Sequence, residues 1–508
     1  MKLMGQQVVG VKTDKSGQQT FRAVDPASGK QIPPDFSAAT FGAIELAVQG
    51  AENAFDHYRQ ISYQSRAAFL MRIGSQLESN GKHIVSRAQR ETGLPKARLE
   101  NELNRTVNQF RLFSSLVKTG SWLEIEIEQS HPLREPQPKP DLRRRMIGLG
   151  PVAVFGASNF PLAFSVPGGD TASALAAGCT VVAKGHPAHP GTSELAAQAI
   201  LLAMAESNVP EGTFSLIQGP DYNIGRALVS HPSIKAVAFT GSHQGGRALF
   251  NLAMSREEPI PVYAEMGSTN PMFMLPKILE NDYELLASRF VQSLTLGVGQ
   301  FCTNPGLIVA IDSPALENFI ATSIRFLDMQ AEGIMLHSGI KQNYQCRLSR
   351  WRDLPSTHVL FDKKGETDAC AVNPAFFQVS SKSWLENPLY KEEVFGPAGL
   401  VVACGSIEEL FEVARQLPGQ LTASLHGAED DLSRFRDLVP ILERKAGRIL
   451  CNDFPTGVEV CSPMVHGGPY PASTDSRSTS VGPLAIRRFL RPVCYQNFHL
   501  DILPDDLR

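Results

Sequence analysis

Three side chains in this sequence carry the chemistry of acyl transfer: a thiol at Cys302, a carboxylate at Glu265 and an amide at Asn159. Cys302 stands in "GQFCTNPG", where Gly299, Pro305 and Gly306 supply loop geometry and Thr303 can cap a following turn. A free thiol has a pKa of about 8.5, so only a few per cent is the nucleophilic thiolate at neutral pH. A loop or helix start with free N–H groups raises that fraction. Glu265 lies in "AEMGSTNP" after the short strand "PVYAE", and burial would raise its pKa into the range of a general base. Asn159, in "FGASNFPLAFS", follows the strand "PVAVFGA", where a side-chain amide can donate to an oxyanion. Each also has an inert reading. Cysteines are mostly small buried hydrophobes, turn glutamates mostly face water, and an Asn before Phe-Pro is often only a turn former.

A second set of residues suits a nucleotide. Lys184 ends the strand in "VVAKGHPAHPGTS" ahead of a helix, where ribose or phosphate can lie. In "FTGSHQGG", Gly241, Ser242 and Gly246 form a strand–turn–helix entrance suited to a pyrophosphate, although it is not GxGxxG. "EEVFGP" offers Glu393 for ribose hydroxyls and Phe395 to pack on a flat ring.

The elements that must position these groups fall into regions. "FGAIELAVQGAENAFDHY", "SRAAFLMRIGSQLESN" and "HIVSRAQRETGLP" carry helical apolar spacing, the last stopped by Gly93 and Pro95. Prolines between 136 and 140 mark an exposed link. Short apolar runs then alternate with helices as far as "IKAVAFTGS" and "QGGRALFNLAM", the rhythm of a doubly wound parallel sheet that binds ligands at its carboxyl edge. A second βα region runs from about residue 265 to 463 with "GLIVAI" and "AGLVVAC", and "RRFLRPVCYQNFHL" returns to strand alternation.

At 508 residues the chain exceeds the size of one growing core, so two or three domains are expected. With 43% hydrophobic residues it reads as globular, and a net charge of −3 gives no reason to expect nucleic acid or a membrane as partner. The eight cysteines are scattered, with no CxxC pair and no Cys/His spacing for zinc, so no metal is expected. The opening residues lack the apolar core of a signal peptide; reduced thiols in a cytoplasmic protein are the expectation.

Taken together and in order, "SNFP", the strand-end Lys184, "FTGS", Glu265-x-Gly, "GQ-x-C" and "EEVFGP" resemble the aldehyde dehydrogenase superfamily over nearly the whole chain. The resemblance implies an α/β fold: a Rossmann-type parallel-sheet cofactor domain, an α/β catalytic domain and a small β oligomerisation extension. The expected boundaries are 1–129 with 148–264, then 265–465, then 130–147 with 466–508. It implies Cys302 as nucleophile, Asn159 as oxyanion donor and Glu265 as activator of the hydrolytic water. It also assigns Lys184, Gly225, Gly241, Ser242, Gly246, Glu393 and Phe395 to the cofactor. NAD-preferring relatives commonly carry a glutamate three residues after that lysine; here Pro187 stands there, so NADP is the expected cofactor, with NAD also accepted, and His186 and Arg226 are further contacts.

A narrower likeness, through "KGHPAHPGTS" and "MVHGGPYPAST", is to the branch holding α-ketoglutaric semialdehyde (2,5-dioxovalerate) dehydrogenases and an NADP-linked fatty aldehyde dehydrogenase. The semialdehyde is the expected substrate and a medium- or long-chain aldehyde the alternative, with Phe160, Phe301 and Phe454 lining either pocket. CoA-acylating, esterase and catalytically silent variants of the fold are the remaining readings. A homodimer or homotetramer is expected.

Overall fold

Two seven-stranded sheets, each wrapped by helices, make up the bulk of the molecule in a computed structural model of the chain. The structure describes residues 1–10, 12–14, 17, 19–363 and 369–508. In the first sheet, five parallel strands stand in the order Val262–Glu265, Ala236–Thr240, Val152–Phe155, Val181–Lys184, Phe214–Ile217. Gln7–Val9 then adds antiparallel. Both faces are covered. Val152 and Val154 point into one core cluster, Ala153 and Phe155 into another, which is why these strands read as continuous apolar runs.

The helices of the first region form as the spacing indicates. Phe41–Gln60 is capped by the Thr40 hydroxyl, which accepts from Ala43 N at 3.1 Å. Gly81–Thr92 stops at Gly93, whose φ of +67° is the left-handed end that glycine tolerates.

The register brings Phe155, Lys184 and Ile217 level at one edge, with Thr240 and Glu265 level beside them. Glu265 is the last residue of its strand, and six residues later Pro271–Met274 opens the second sheet. That sheet runs parallel through Ala375–Ser380, Ala398–Cys404, Leu307–Ile311, Pro271–Met274, Gln420–His426 and Ala446–Cys451. The chain therefore crosses between sheets at the point where Glu265 ends.

A three-stranded antiparallel sheet pairs Glu126–Glu128, Leu142–Gly148 and Leu490–Gln496. Of the tail expected from residue 466 onward, only Leu490–Gln496 is a strand of this sheet; His466 and Ser480 lie beside Glu265. No described helix is long and apolar enough to cross a membrane.

Candidate active site

The turn that carries Cys302 is shaped by its backbone. Gly297, Val298 and Gly299 hold φ of +56°, +61° and +63° directly after the helix Pro276–Thr295. For the β-branched Val298 this is a strained position, and Gly333 makes room for it: a Cβ there would lie 2.7 Å from Val298 Cγ2. A Cβ on Gly299 would lie 2.3 Å from the carbonyl carbon of Gly396, so "GQFC" and "EEVFGP" meet backbone to backbone with space only for glycine. Asn270 Nδ2 donates to the carbonyls of Cys302 and Asn304, 2.9 Å each, and fixes the far side of the turn.

Cys302 Sγ lies 3.4 Å from His466 Nε2, and the same nitrogen is 2.9 Å from Glu265 Oε1. The second contact is close without being a directed hydrogen bond, since Oε1 has no hydrogen-bond partner among the described residues. The Ser480 hydroxyl donates to Glu265 Oε2 at 2.7 Å. His466 and Glu265 are 1% and 5% exposed. Sulfur, imidazole nitrogen and a carboxylate oxygen fall within 4.8 Å of one another.

Burial pushes the Cys302 thiol well above its ordinary range; Glu265 and Glu393 push the same way, and Arg105 opposes them. Glu265 departs from the expectation of a raised carboxyl. Burial does act to raise it, but His466, Ser480 and Cys302 outweigh burial and hold it below its usual range. At neutral pH the resting arrangement is thus a protonated sulfur close to an ionised carboxylate, with the His466 ring in contact with both.

Asn159 Nδ2 donates to the Gln300 carbonyl at 3.1 Å, two residues before the sulfur, leaving a second amide hydrogen. Arg98 holds the Asn159 carbonyl at 2.8 Å. Phe160 meets Phe301 edge to face, ring centroids 5.4 Å apart, so these two expected pocket residues come together. Phe454 does not join them. It packs against His426 at 4.9 Å, in the cluster beneath the second sheet.

The expected cofactor residues gather at the carboxyl edge of the first sheet. Lys184 Nζ donates to the Gly219 carbonyl at 2.8 Å, and burial brings its pKa down to about 8. Ser242 caps the helix His243–Met254, its hydroxyl accepting from Gly245 N at 3.2 Å, with the helix end exposed to solvent. Three of the glycines are packing requirements: a Cβ would lie 3.1 Å from the Phe155 ring at Gly225, 2.6 Å from Phe239 at Gly241 and 2.7 Å from Met266 Cγ at Gly246. Exposed helix N–H groups and a strand-end ammonium at one edge of the same sheet suit a phosphate-bearing dinucleotide. Pro187 is half-buried and Arg226 exposed. His186 is stacked against His189, ring centroids 5.4 Å apart, and tilted against His337 at 5.8 Å. Burial first, then those rings and Lys184, push it well below its ordinary range, so it is a neutral ring and a poor phosphate partner.

On the catalytic side, Glu393 accepts from Ser268 N at 3.3 Å and packs so tightly on the turn after Glu265 that a Cβ on Gly267 would lie 2.4 Å from its Oε2. Burial brings its carboxyl up to about 7, against Ser268 and Arg347. Glu393, Phe395 and Phe301 line one recess.

His466, Ser480, Asn270, Arg98 and Arg105 were not singled out from the sequence. His466 lies in the quoted stretch "MVHGGPYPAST" and meets a sulfur 164 residues away; a lone histidine between apolar and glycine residues gives no local sign of that contact.

Residues 12–475 match the aldehyde dehydrogenase family. The chain is 49% identical to α-ketoglutaric semialdehyde dehydrogenase 2 of Azospirillum brasilense, across 100% of this chain and 97% of that protein. It is 44% identical to the α-ketoglutaric semialdehyde dehydrogenase of Acinetobacter baylyi, across 99% and 96%. Among solved structures, aldehyde dehydrogenase C of Pseudomonas syringae, a mutant complexed with NAD+ and octanal, superposes with a TM-score of 0.82 at 19% identity and 98% coverage of each chain. Betaine aldehyde dehydrogenase of Staphylococcus aureus in complex with NAD+ gives 0.83 at 18% identity, with 99% and 97% covered.

Proposed function

The chain belongs to the aldehyde dehydrogenase family, and from that premise we propose that it oxidises α-ketoglutaric semialdehyde (2,5-dioxovalerate) to 2-oxoglutarate with a nicotinamide dinucleotide, through a thioester on Cys302. The observation that carries the chemistry is the Cys302 sulfur gathered with His466 and Glu265 within 4.8 Å at the junction of the two sheets. The substrate rests on the whole-length likeness to two α-ketoglutaric semialdehyde dehydrogenases.

In this reading Sγ attacks the aldehyde carbon while its proton passes to His466 Nε2 across 3.4 Å. The carbonyl electrons move onto oxygen, where the free Asn159 amide hydrogen and the Cys302 N–H receive them. A donor of this kind is worth about 3–4 kcal/mol of barrier. Glu393 and Phe395 would hold a nicotinamide, which would supply the acceptor for the hydride of the thiohemiacetal carbon and so leave a thioester on Cys302. Glu265, held ionised by His466 and Ser480, then removes a proton from the water that attacks the thioester carbon. The C–S bond breaks, the acid departs, His466 returns its proton to sulfur, and Glu265 gives the water's proton up to solvent.

Lys184, the Ser242 helix end, Glu393 and Phe395 are the groups that would hold the dinucleotide. NADP is the preferred form in this proposal: Pro187 removes the carboxylate that would repel a 2′-phosphate, and Lys184 supplies the cation. The three-stranded sheet is the proposed dimer contact. Among the described residues its two edge strands are open, and Ile125, Ile127, Leu133 and Phe498 near it are exposed.

The test is a panel of aldehydes with NADP and NAD, followed by reduced cofactor absorbance. We expect α-ketoglutaric semialdehyde to lead succinic semialdehyde, glutaraldehyde and decanal, without added CoA. Equal rates throughout, or dependence on CoA, would overturn the assignment.

A further inference from the structure

Resting on the semialdehyde reading above, we infer that the Arg105 guanidinium receives the far carboxylate of the substrate and so selects short oxo-acid aldehydes over neutral ones. Arg105 lies on the helix Lys96–Thr119, half-buried, with its Cζ 5.5 Å from the Phe164 ring centroid. That ring is 5.9 Å from the His466 ring, and His466 touches the sulfur. One aromatic ring therefore separates this cation from the catalytic imidazole. In the extended semialdehyde, four C–C bonds separate the aldehyde carbon from the carboxylate carbon, about 5 Å.

The donors of Arg105 are arranged for such a ligand. Nη1 donates to the Val458 carbonyl at 2.5 Å, whereas Nε and Nη2 are buried with no hydrogen-bond partner among the described residues. Nε and Nη2 form one edge of the planar guanidinium, the edge that takes both oxygens of a carboxylate. Arg22 does this elsewhere in the same chain, donating through Nε and Nη2 to the two oxygens of Asp35 at 2.6 and 3.0 Å. Among the described residues no carboxylate lies within 4 Å of Arg105. Its neighbour Glu102 accepts from Leu162 N and Ala163 N through Oε1 at 2.8 and 3.0 Å, while Oε2 has no hydrogen-bond partner among the described residues and the carboxylate acts on Arg105 through its charge.

Other arginines near the site have more of their donors paired, although Arg98 Nη1 and Arg448 Nε are also without a hydrogen-bond partner among the described residues, and the buried Arg488 pairs with Asp170 at 2.7 Å. Arg98 sits 5.1 and 4.7 Å over the Phe160 and Phe301 rings and holds the Asn159 carbonyl. Arg448 donates to the carbonyls of Gly457 and Pro455. Electrostatics agree: Arg105 and Cys302 act on each other's ionisation, which places the guanidinium's field at the reacting centre. A neutral aldehyde would leave the Nε–Nη2 edge desolvated and unpaired, which is selectivity by an unmet polar group.

The test compares α-ketoglutaric semialdehyde with pentanal, which has the same chain length and no acid, in the wild type, Arg105→Gln and Arg105→Lys. We expect Arg105→Gln to lower the kcat/KM ratio of semialdehyde to pentanal by about 10- to 100-fold, the range for a lost hydrogen bond to a charged group, mainly through KM. Arg105→Lys, a point charge without the fork, should fall between. Melting temperature and dinucleotide affinity report on folding. A wild type that does not favour the semialdehyde refutes the proposed substrate itself. A wild type that does, with Arg105→Gln within threefold of its ratio, refutes the role of Arg105. Should Arg105→Gln not fold, an unchanged semialdehyde KM in Arg105→Lys refutes that role as well.

Discussion

Replacing His466 by phenylalanine keeps a ring in the same space and removes the nitrogen 3.4 Å from the Cys302 sulfur. Proton transfer from thiol to imidazole creates a thiolate–imidazolium pair. At that separation and an effective dielectric constant of about 20, its attraction is about 5 kcal/mol, equivalent to more than about 10³-fold in thiolate population. Desolvation of the imidazolium offsets part of this, so a loss of about 10²-fold is the expected net effect. Without His466, burial, Glu265 and Glu393 all act to keep the proton on sulfur, and Arg105 and Arg448 oppose them. The assay is alkylation by iodoacetamide followed from pH 6 to pH 10 by the mass of the Cys302 peptide. His466→Phe should react about 10²-fold more slowly at neutral pH, with its pH midpoint moved upward. Alkylation within threefold of the wild type and an unmoved midpoint would refute the argument, provided the variant still melts normally and binds dinucleotide.

Three further outcomes follow from the same geometry. Glu265→Gln should release a rapid burst of reduced cofactor and then turn over about 10²–10⁴-fold more slowly, because the water loses its base after the thioester has formed; a normal steady state would remove Glu265 from that step. Pro187→Glu should lower kcat/KM for NADP at least about tenfold while sparing NAD, as a carboxylate meets the 2′-phosphate; an unchanged ratio would sever cofactor choice from this position. Acidification should destabilise the fold. Burial brings the pKa of both His337 and His426 down to about 4. Below about pH 6.5 the unfolded rings bind protons that the folded rings refuse, so stability present above that pH falls toward pH 4 by up to about 1.4 kcal/mol per unit for each ring. Urea midpoints that stay level between pH 6.5 and pH 5 would contradict this.

The architecture was legible because its strands are buried on both faces. Val152–Phe155 and Val181–Lys184 read as short apolar runs, and Gly93 stops its helix as its backbone freedom allows. Cys302, Glu265 and Asn159 were legible as an ordered set, and the structure brings them to one junction. The ionisation of Glu265 was not. Burial alone argues for a raised carboxyl, and the sign changes only when His466 and Ser480 arrive from the other end of the chain. Arg105 was illegible for a similar reason: an arginine in an amphipathic helix looks solvated until Phe164 and Val458 close over it. Phe454 shows the converse. Its position in the sequence suited the pocket, but its ring packs on His426.

The most direct measurement of the central claim is the mass of the enzyme during turnover. Glu265→Gln is mixed with α-ketoglutaric semialdehyde and NADP, quenched in acid and digested. A single acyl adduct, the substrate less one hydride, is expected on the Cys302 peptide and absent when Cys302→Ala is carried alongside. An adduct on another residue, or continued oxidation by Cys302→Ala, would contradict the assignment of the sulfur as the nucleophile.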